Sequence, residues 1–301
     1  MLSRQNKHLL LKVVSLFSVI RGYNILIIVL AQYLTSVFIL APDLSLGQVI
    51  FDGELFALIL SSALVIASGY IINNFYDSEK DLINRPNKTM LDRLVSQQTK
   101  LNVYFILNIV AVLIASYVSF RATLFFSIYI FGIWIYSHRL SKIAFVGNFT
   151  SAILAIVPFF AVFVYYRNFE LVIFVHALFL FLIISMREMV KDLENLKGDI
   201  ALGYQTIPVV FGTATSKWLV TGLLLLAVVP TYLLIARFEI GLMNYYFYLC
   251  AVLLGVFLFI LWQSKAKLHY LTLHNILKAI IVLGVFCIPL IDPSVVIEQL
   301  P

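Results

Sequence analysis

Nine long apolar runs, separated by short polar segments, leave this chain little choice of solvent. They lie at about 15–41, 55–75, 101–120, 122–137, 147–166, 170–187, 217–236, 244–263 and 275–291. Each is near the ~20 residues that a helix needs to cross a bilayer. The runs do not alternate apolar with polar residues, so helices and not barrel strands are expected. A soluble domain is about 25% charged; this chain of 301 residues is 12% charged and 62% hydrophobic. The expected fold class is an all-α integral membrane protein, a bundle of about nine transmembrane helices forming a single domain over 1–301. The start, Met1 to Lys12, is basic, and the apolar stretch after it runs to about Leu40 without a small-residue cleavage site. It therefore reads as a first span and not as a cleaved leader. Cys250 and Cys287 both fall inside apolar helices, where packing is the expected role.

The basic residues test the span count. With the N-terminus on the inner side, 17 of the 21 Lys and Arg fall in inner segments, only Arg121, Arg167 and Arg237 fall outside, and Arg21 is left in the first span. A miscounted helix would scramble that asymmetry, which the positive-inside rule expects. The net charge of +6 is thus a topology signal, and no nucleic-acid partner is expected. The long inner segments, 76–100 and 188–216, follow the second and sixth spans, so the pattern recurs four helices apart.

Those two segments hold all the inner acidic residues. The first cluster is Asn73-Asn74-Phe75-Tyr76-Asp77-Ser78-Glu79-Lys80-Asp81, and the second runs from Lys191 and Asp192 to Gly198 and Asp199. Carboxylates at a membrane boundary are costly without a partner. Asn73, Asp77 and Asp81 share a helical face at i, i+4, i+8. Asp192, Asn195 and Asp199 do so at i, i+3, i+7. Two such faces at neighbouring inner helix ends suit Mg²⁺, a hard ion that takes oxygen ligands and bridges to phosphates. Lys and Arg are interleaved with the acids, which marks a metal-bound polyanion and not a bare cation site. Arg85, Lys88, Arg93, Arg139, Lys142 and Lys191 are the candidates to clamp diphosphate oxygens. The 25 Phe, 16 Tyr and 3 Trp include enough aromatic surface to line an isoprenoid cavity and to steady an allylic cation.

At these residues the chain resembles the UbiA superfamily of intramembrane prenyltransferases. The family's first motif, NDxxDxxxD, stands here as Asn73, Asn74, Asp77 and Asp81, with Asn in the second position. Its NRPxRP continuation is Asn84-Arg85-Pro86-Asn87-Lys88-Thr89. Its second motif, KDxEDxxGD, reads Lys191-Asp192-Leu193-Glu194-Asn195-Leu196-Lys197-Gly198-Asp199, and Gly203-Tyr204-Gln205-Thr206-Ile207-Pro208 follows as expected. Between them YSxxLKRxxxxGN is matched by Tyr136-Ser137-His138-Arg139-Leu140-Ser141-Lys142 and by Gly147-Asn148, with Ser141 in place of Lys. Arg21 and Asn24 match the polar pair of the first span, with Gly22 in place of the usual Pro. The resemblance implies nine helices around a central lipid-accessible cavity, and substrate-binding roles for Arg21, Asn24, Tyr136 and Asn148.

The implied reaction is Mg²⁺-dependent transfer of a prenyl group from a prenyl diphosphate to an acceptor among the membrane lipids. Asp77, Asp81 and Asp199 are the expected catalytic carboxylates. The unbroken Asn-Arg-Pro spacing and the KDLENLKGD form resemble the branch that prenylates geranylgeranylglyceryl phosphate. An aromatic quinone precursor, a hydroxybenzoate or dihydroxynaphthoate, is the alternative acceptor. Asn195 is a neutral oxygen donor and a weaker Mg²⁺ ligand than Asp, so a degenerate, non-catalytic prenyl diphosphate binder is a further alternative. A transporter would place ionisable groups near mid-membrane, whereas the spans carry little beyond Arg21 and His176. His138 is a candidate base toward an acceptor hydroxyl.

Overall fold

The computed structural model describes residues 4–297. The helices are α1 (Arg4–Ile20), α2 (Gly22–Thr35), α3 (Leu46–Ile50), α4 (Gly53–Tyr76), α5 (Ser78–Asn84), α6 (Pro86–Asp92), α7 (Gln97–Val118) and α8 (Phe120–His138). They continue as α9 (Val146–Tyr166), α10 (Leu171–Ala201), α11 (Ile207–Arg237), α12 (Asn244–Gln263), α13 (Lys267–Cys287) and the short α14 (Ser294–Ile297). Among the described residues, nine helices are long and apolar enough to cross a membrane.

Helix starts follow local chemistry. Asp52 caps α4 by accepting from the N–H groups of Glu54 and Leu55 at 3.0 and 3.1 Å. Ser96 caps α7 through the Thr99 N–H, and Ser119 caps α8 through the Ala122 N–H. Each satisfies an N–H that the helix itself cannot. In hydrocarbon no water does that work, so interior breaks also need partners. Pro158 in α9 lacks the N–H that would bond the Leu154 carbonyl. Tyr129 from α8 supplies the missing donor, its hydroxyl 3.0 Å from Leu154 O.

Several boundaries differ from the expected spans. The first membrane-spanning helix starts at Gly22 and not at 15, because the chain breaks at Arg21, which is left-handed at φ 51° and ψ 52°. Residues before the break form α1, which packs on α4 and α6. The segment after the sixth span is helical to Ala201, so α10 carries the second acidic motif on its own inner extension and not in a loop. Likewise α11 starts at Ile207 and bends at Gly212, whose φ of 83° and ψ of 165° only glycine adopts readily. His274 lies within α13.

Six helices line a central cavity: α2, α4, α8, α9, α10 and α13. Behind them α7 packs on α4 and α8, and α11 packs on α10 and α12. Small and polar side chains allow the close approach of α4 and α7: Ser61 donates to Ala111 O, and Ser68 donates to Asn108 at 2.6 Å. Such contacts carry helix association where lipid is as apolar as leucine. Large apolar side chains such as Leu113, Phe131 and Phe259 stay exposed toward the lipid.

The inner connections are tied down by side chains. Asn84 at the end of α5 accepts from the Gly198 N–H of α10 at 3.1 Å, and Arg85 Nη2 reaches Glu194 Oε1 at 3.0 Å. Lys267 donates to the Asn84 carbonyl. A Cβ at Gly198 would lie 2.3 Å from Asn84 Nδ2, so a side chain there is incompatible with the docking. A second cluster fixes α6: Asp92 accepts from Lys88 at 2.7 Å, Ser18 at 3.0 Å and Asn74 at 3.2 Å. Lys100, only 1% exposed, donates to Asn74 Oδ1 at 2.8 Å. The α8–α9 connection lies against the α10–α11 connection through the Gln205 N–H and Lys142 O, at 2.9 Å.

Two stability measurements check this account. Tyr129→Phe leaves the Leu154 carbonyl without its donor and should lower stability by about 0.6–1.7 kcal/mol, the range for such bonds in membranes. Thermal unfolding in lipid, with exposed Tyr248→Phe as control, reads it; equal melting of the two variants would contradict the role of Tyr129. Gly198→Ala should cost about 1–3 kcal/mol through overpacking and speed proteolysis of the 84–96 segment, an effect absent if Asn84 does not dock there.

Candidate active site

The two acidic motifs meet at the inner end of the bundle. The i→i+4 backbone bonds continue through the end of α4, from Asp77 N to Asn73 O and from Asp81 N to Asp77 O. The three side chains therefore project from successive turns. Asn73 Nδ2 donates to Asp77 Oδ2 at 3.1 Å. Across from them, Asp199 on α10 is fully buried and accepts from Thr206 Oγ1 at 3.1 Å. Tyr204 donates its hydroxyl to Asp77 Oδ1 at 3.2 Å. The turn after α10 thus orients one carboxylate from each motif.

Lys80 lies between those carboxylates. Its ammonium is 3.7 Å from Asp77 Oδ1 and 3.5 Å from Asp199 Oδ1, and 4.5 Å from the centre of the Tyr204 ring. Lys142 stands 5.3 Å from the same ring. Burial alone would lower the pKa of Lys80, but Asp77 and Asp199 outweigh it and hold it above the ordinary lysine value. Asp81 is raised, first by burial and then by repulsion from Asp77. Tyr204 is raised by burial and by the Asp77 charge, so it remains a donor.

Beside this cluster opens the central cavity, about 300 Å³. Its inner end carries four cations, Arg21, Arg187, Lys191 and Lys278, against one carboxylate, Glu188. Lys191 and Arg187 reach Glu188 at 2.8 and 3.4 Å. Arg21 sits 5.1 Å over the Tyr70 ring, and Asn24 Nδ2 donates to the Tyr70 hydroxyl at 3.3 Å. A non-glycine residue held left-handed costs about 1–3 kcal/mol; the Arg21 break aims a guanidinium into the cavity. Farther in, the walls turn to Ile66, Ile133, Leu154 and Phe159, with Tyr129 and Tyr136 among them. Ala31, Phe159, Leu180 and Val285 are shared with a second, almost wholly apolar cavity of about 150 Å³ toward the other end of the bundle.

Of the residues expected at the site, Arg21, Asn24, Asn73, Tyr136 and Lys191 line the cavity, and Asp77 and Asp199 converge beside it. Asp192 is turned to Asn148, whose Nδ2 donates at 2.7 Å. Lys88 is spent on Asp92, Arg85 on Glu194, and Arg139 is exposed. His138 is exposed and stacks on Trp134 at 5.4 Å. Lys80, Arg187, Glu188, Tyr204 and Lys278 were not singled out from the sequence. Arg187 and Lys191 are i, i+4 on one face, a spacing that could have revealed them; the position of Lys80 between Asp77 and Asp199 depends on the two motifs meeting.

Among the described residues no three acidic, His or Cys side chains converge as a ready-made metal cage. The donor set still fits a hard divalent ion. Asp199 Oδ1 and Asn195 Oδ1, one turn apart on α10, are buried oxygens with no hydrogen-bond donor. Lys80 at 3.5 Å stands beyond good hydrogen-bond range of the first. Buried acceptors are rarely left unpaired, and a hard cation coordinated by oxygen would satisfy both.

Comparison with known proteins agrees with the fold. Residues 24–271 match the UbiA prenyltransferase family. Digeranylgeranylglyceryl phosphate synthase of Thermococcus gammatolerans is 28% identical over 253 residues, 82% of this chain and 89% of the relative. The enzyme of that name from Thermococcus sibiricus is 34% identical over 150 residues, 50% of this chain and about half, 53%, of the relative. A UbiA homologue from Archaeoglobus fulgidus, solved with GPP and Mg²⁺, superimposes with a TM-score of 0.66 at 15% identity, over 91% of this chain and 99% of that one; at that identity the likeness establishes the fold. The match over most of the chain, together with the two converging motifs, places this protein in the UbiA prenyltransferase family.

Proposed function

We propose that this chain transfers a prenyl group from a prenyl diphosphate to the hydroxyl of a glyceryl phosphate ether lipid. The observation that carries the reading is the cavity itself. Its inner end is lined by four cations and one carboxylate beside the Asp77–Asp199 cluster, and its body is apolar. That is the polarity of an isoprenoid diphosphate. The second apolar cavity continues the line and offers room for the far end of a long prenyl tail. The glyceryl phosphate acceptor is supported by the relatives, which carry the name digeranylgeranylglyceryl phosphate synthase.

Mg²⁺ would be held by Asp77, Asp199 and Asn195, with Asn73 and Asp81 on the adjoining turns. When bound, it neutralises charge that develops on the diphosphate. Arg21, Arg187 and Lys191 bind and orient the diphosphate oxygens from the cavity side. The allylic C–O bond breaks with its electron pair leaving on the diphosphate, eased because positive charge is already in place. Tyr70, Tyr129 and Tyr136 line the cavity and would steady the allylic cation through their aromatic rings, and the apolar walls exclude water that would capture it. The acceptor oxygen then forms the new C–O bond, and its proton passes to the departing diphosphate. The charge asymmetry of the inner segments supports a cytoplasmic N-terminus and a site at the cytoplasmic face.

The test is Mg²⁺-dependent diphosphate release from geranylgeranyl diphosphate by the purified protein in lipid, with glyceryl phosphate and aromatic acceptors offered separately. Release with the glyceryl phosphate acceptor is expected. Release only with an aromatic acceptor would move the chain to quinone-type chemistry, and binding without release would make it a non-catalytic binder. Asp77→Ala and Asp199→Ala should each lower turnover at least 100-fold while the protein still inserts and purifies; wild-type rates in both would remove the site assignment. Asn195→Asp should lower the Mg²⁺ concentration for half-maximal rate several-fold, and an unchanged Mg²⁺ curve would take Asn195 out of the ligand set.

A further inference from the structure

The buried ammonium of Lys80 has no part in the reaction outlined above, yet it stands where the two acidic motifs meet. We propose that Lys80 is a built-in cation of this site. With prenyl diphosphate bound, the chain then takes one divalent ion where the same carboxylates without the lysine would take two. The inference rests on the reading of the site as a metal–diphosphate centre and deepens it by assigning the ion count.

Position supports this first. Lys80 approaches one carboxylate of each motif, 3.7 Å from Asp77 Oδ1 and 3.5 Å from Asp199 Oδ1. A bridging metal would be attracted to that same space. Its side chain is only 11% exposed, and the Tyr204 ring lies 4.5 Å from the ammonium, so the charge does not swing freely in water. Tyr204 and Thr206 hold the two carboxylates in place by hydrogen bonds. The lysine therefore occupies a built position between carboxylates fixed by other residues.

Charge supports it second. Lys80 brings one positive charge to a cluster that holds Asp77, Asp81 and Asp199, and so takes over neutralisation that a second divalent ion would otherwise supply. Asn195, whose buried Oδ1 lacks a donor, offers an oxygen without adding a fourth negative charge. Like charges a few ångströms apart repel strongly where water is scarce. A second divalent ion between Asp77 and Asp199 would have to expel the ammonium or sit against it. Asn195 Oδ1 and Asp199 Oδ1 are buried without a donor and would serve the one divalent ion that also meets Asp77.

The experiment counts ions directly. Mn²⁺ is titrated into the purified protein with geranylgeranyl S-thiolodiphosphate bound, and free Mn²⁺ is followed by electron paramagnetic resonance. One Mn²⁺ per wild-type chain is expected. Lys80→Met should bind two, the first at least tenfold more tightly than in wild type, and Lys80→Arg should return the count to one. Two ions in the wild type would overturn the inference while leaving the metal–diphosphate site intact, and that result needs no variant to fold. A count of one in well-folded Lys80→Met, judged by its melting temperature, would overturn it equally. If no Mn²⁺ binds to wild type or variant, the underlying site reading falls along with the inference.

Discussion

Buried carboxylates at a membrane boundary must find positive charge, and much of this structure's inner end is arranged around that need. An ion removed from water and left alone costs several kcal/mol. Asp77, at the junction of α4 and α5, and Asp199, on α10, are 122 residues apart, and both are buried. The Lys80 ammonium between them joins α5 to α10 at the spot where the bundle would otherwise repel itself. Tyr204 and Thr206 complete the arrangement from the turn after α10. Asn84 and Arg85 bind the following segment to Gly198 and Glu194 of the same helix. The acidic motifs thus organise the inner connections as well as the chemistry.

The same constraint divides the basic residues into two groups. Lys88 and Lys100 serve the Asp92–Asn74 cluster, which holds α6 against α1, α4 and α7. Asn74 therefore has a structural role next door to Asn73, whose side chain faces Asp77. Arg21, Arg187, Lys191 and Lys278 face the cavity and exceed the one carboxylate there. Paired charges build the walls, and the surplus is available for an anion. The apolar cavities beyond give that anion's tail its place.

Span number, helix class and the meeting of the motifs were legible because apolar length and Lys/Arg placement are properties of the chain itself. The helical spacing of Asn73, Asp77 and Asp81 also carried through, since the backbone bonds continue past Tyr76. Other features depend on contacts that no local pattern records. The break at Arg21 needs the residue to sit left-handed, a conformation that only a nearby Gly22 hints at. The helical extension to Ala201 reads as loop by hydropathy because it is charged, although its helix is held by packing on α5 and α11. Lys88 and Arg85 looked like diphosphate ligands because they stand beside the motif; their partners, Asp92 and Glu194, were visible only once the helices were assembled.

The most direct measurement is a crystal structure with Mn²⁺ and geranylgeranyl S-thiolodiphosphate, read by the anomalous signal of manganese. The account predicts manganese beside Asp199 and Asn195, with the diphosphate between it and Arg21 and the prenyl chain running through the central cavity past Phe159. Manganese away from both acidic motifs, or a prenyl chain outside the cavity, would contradict it.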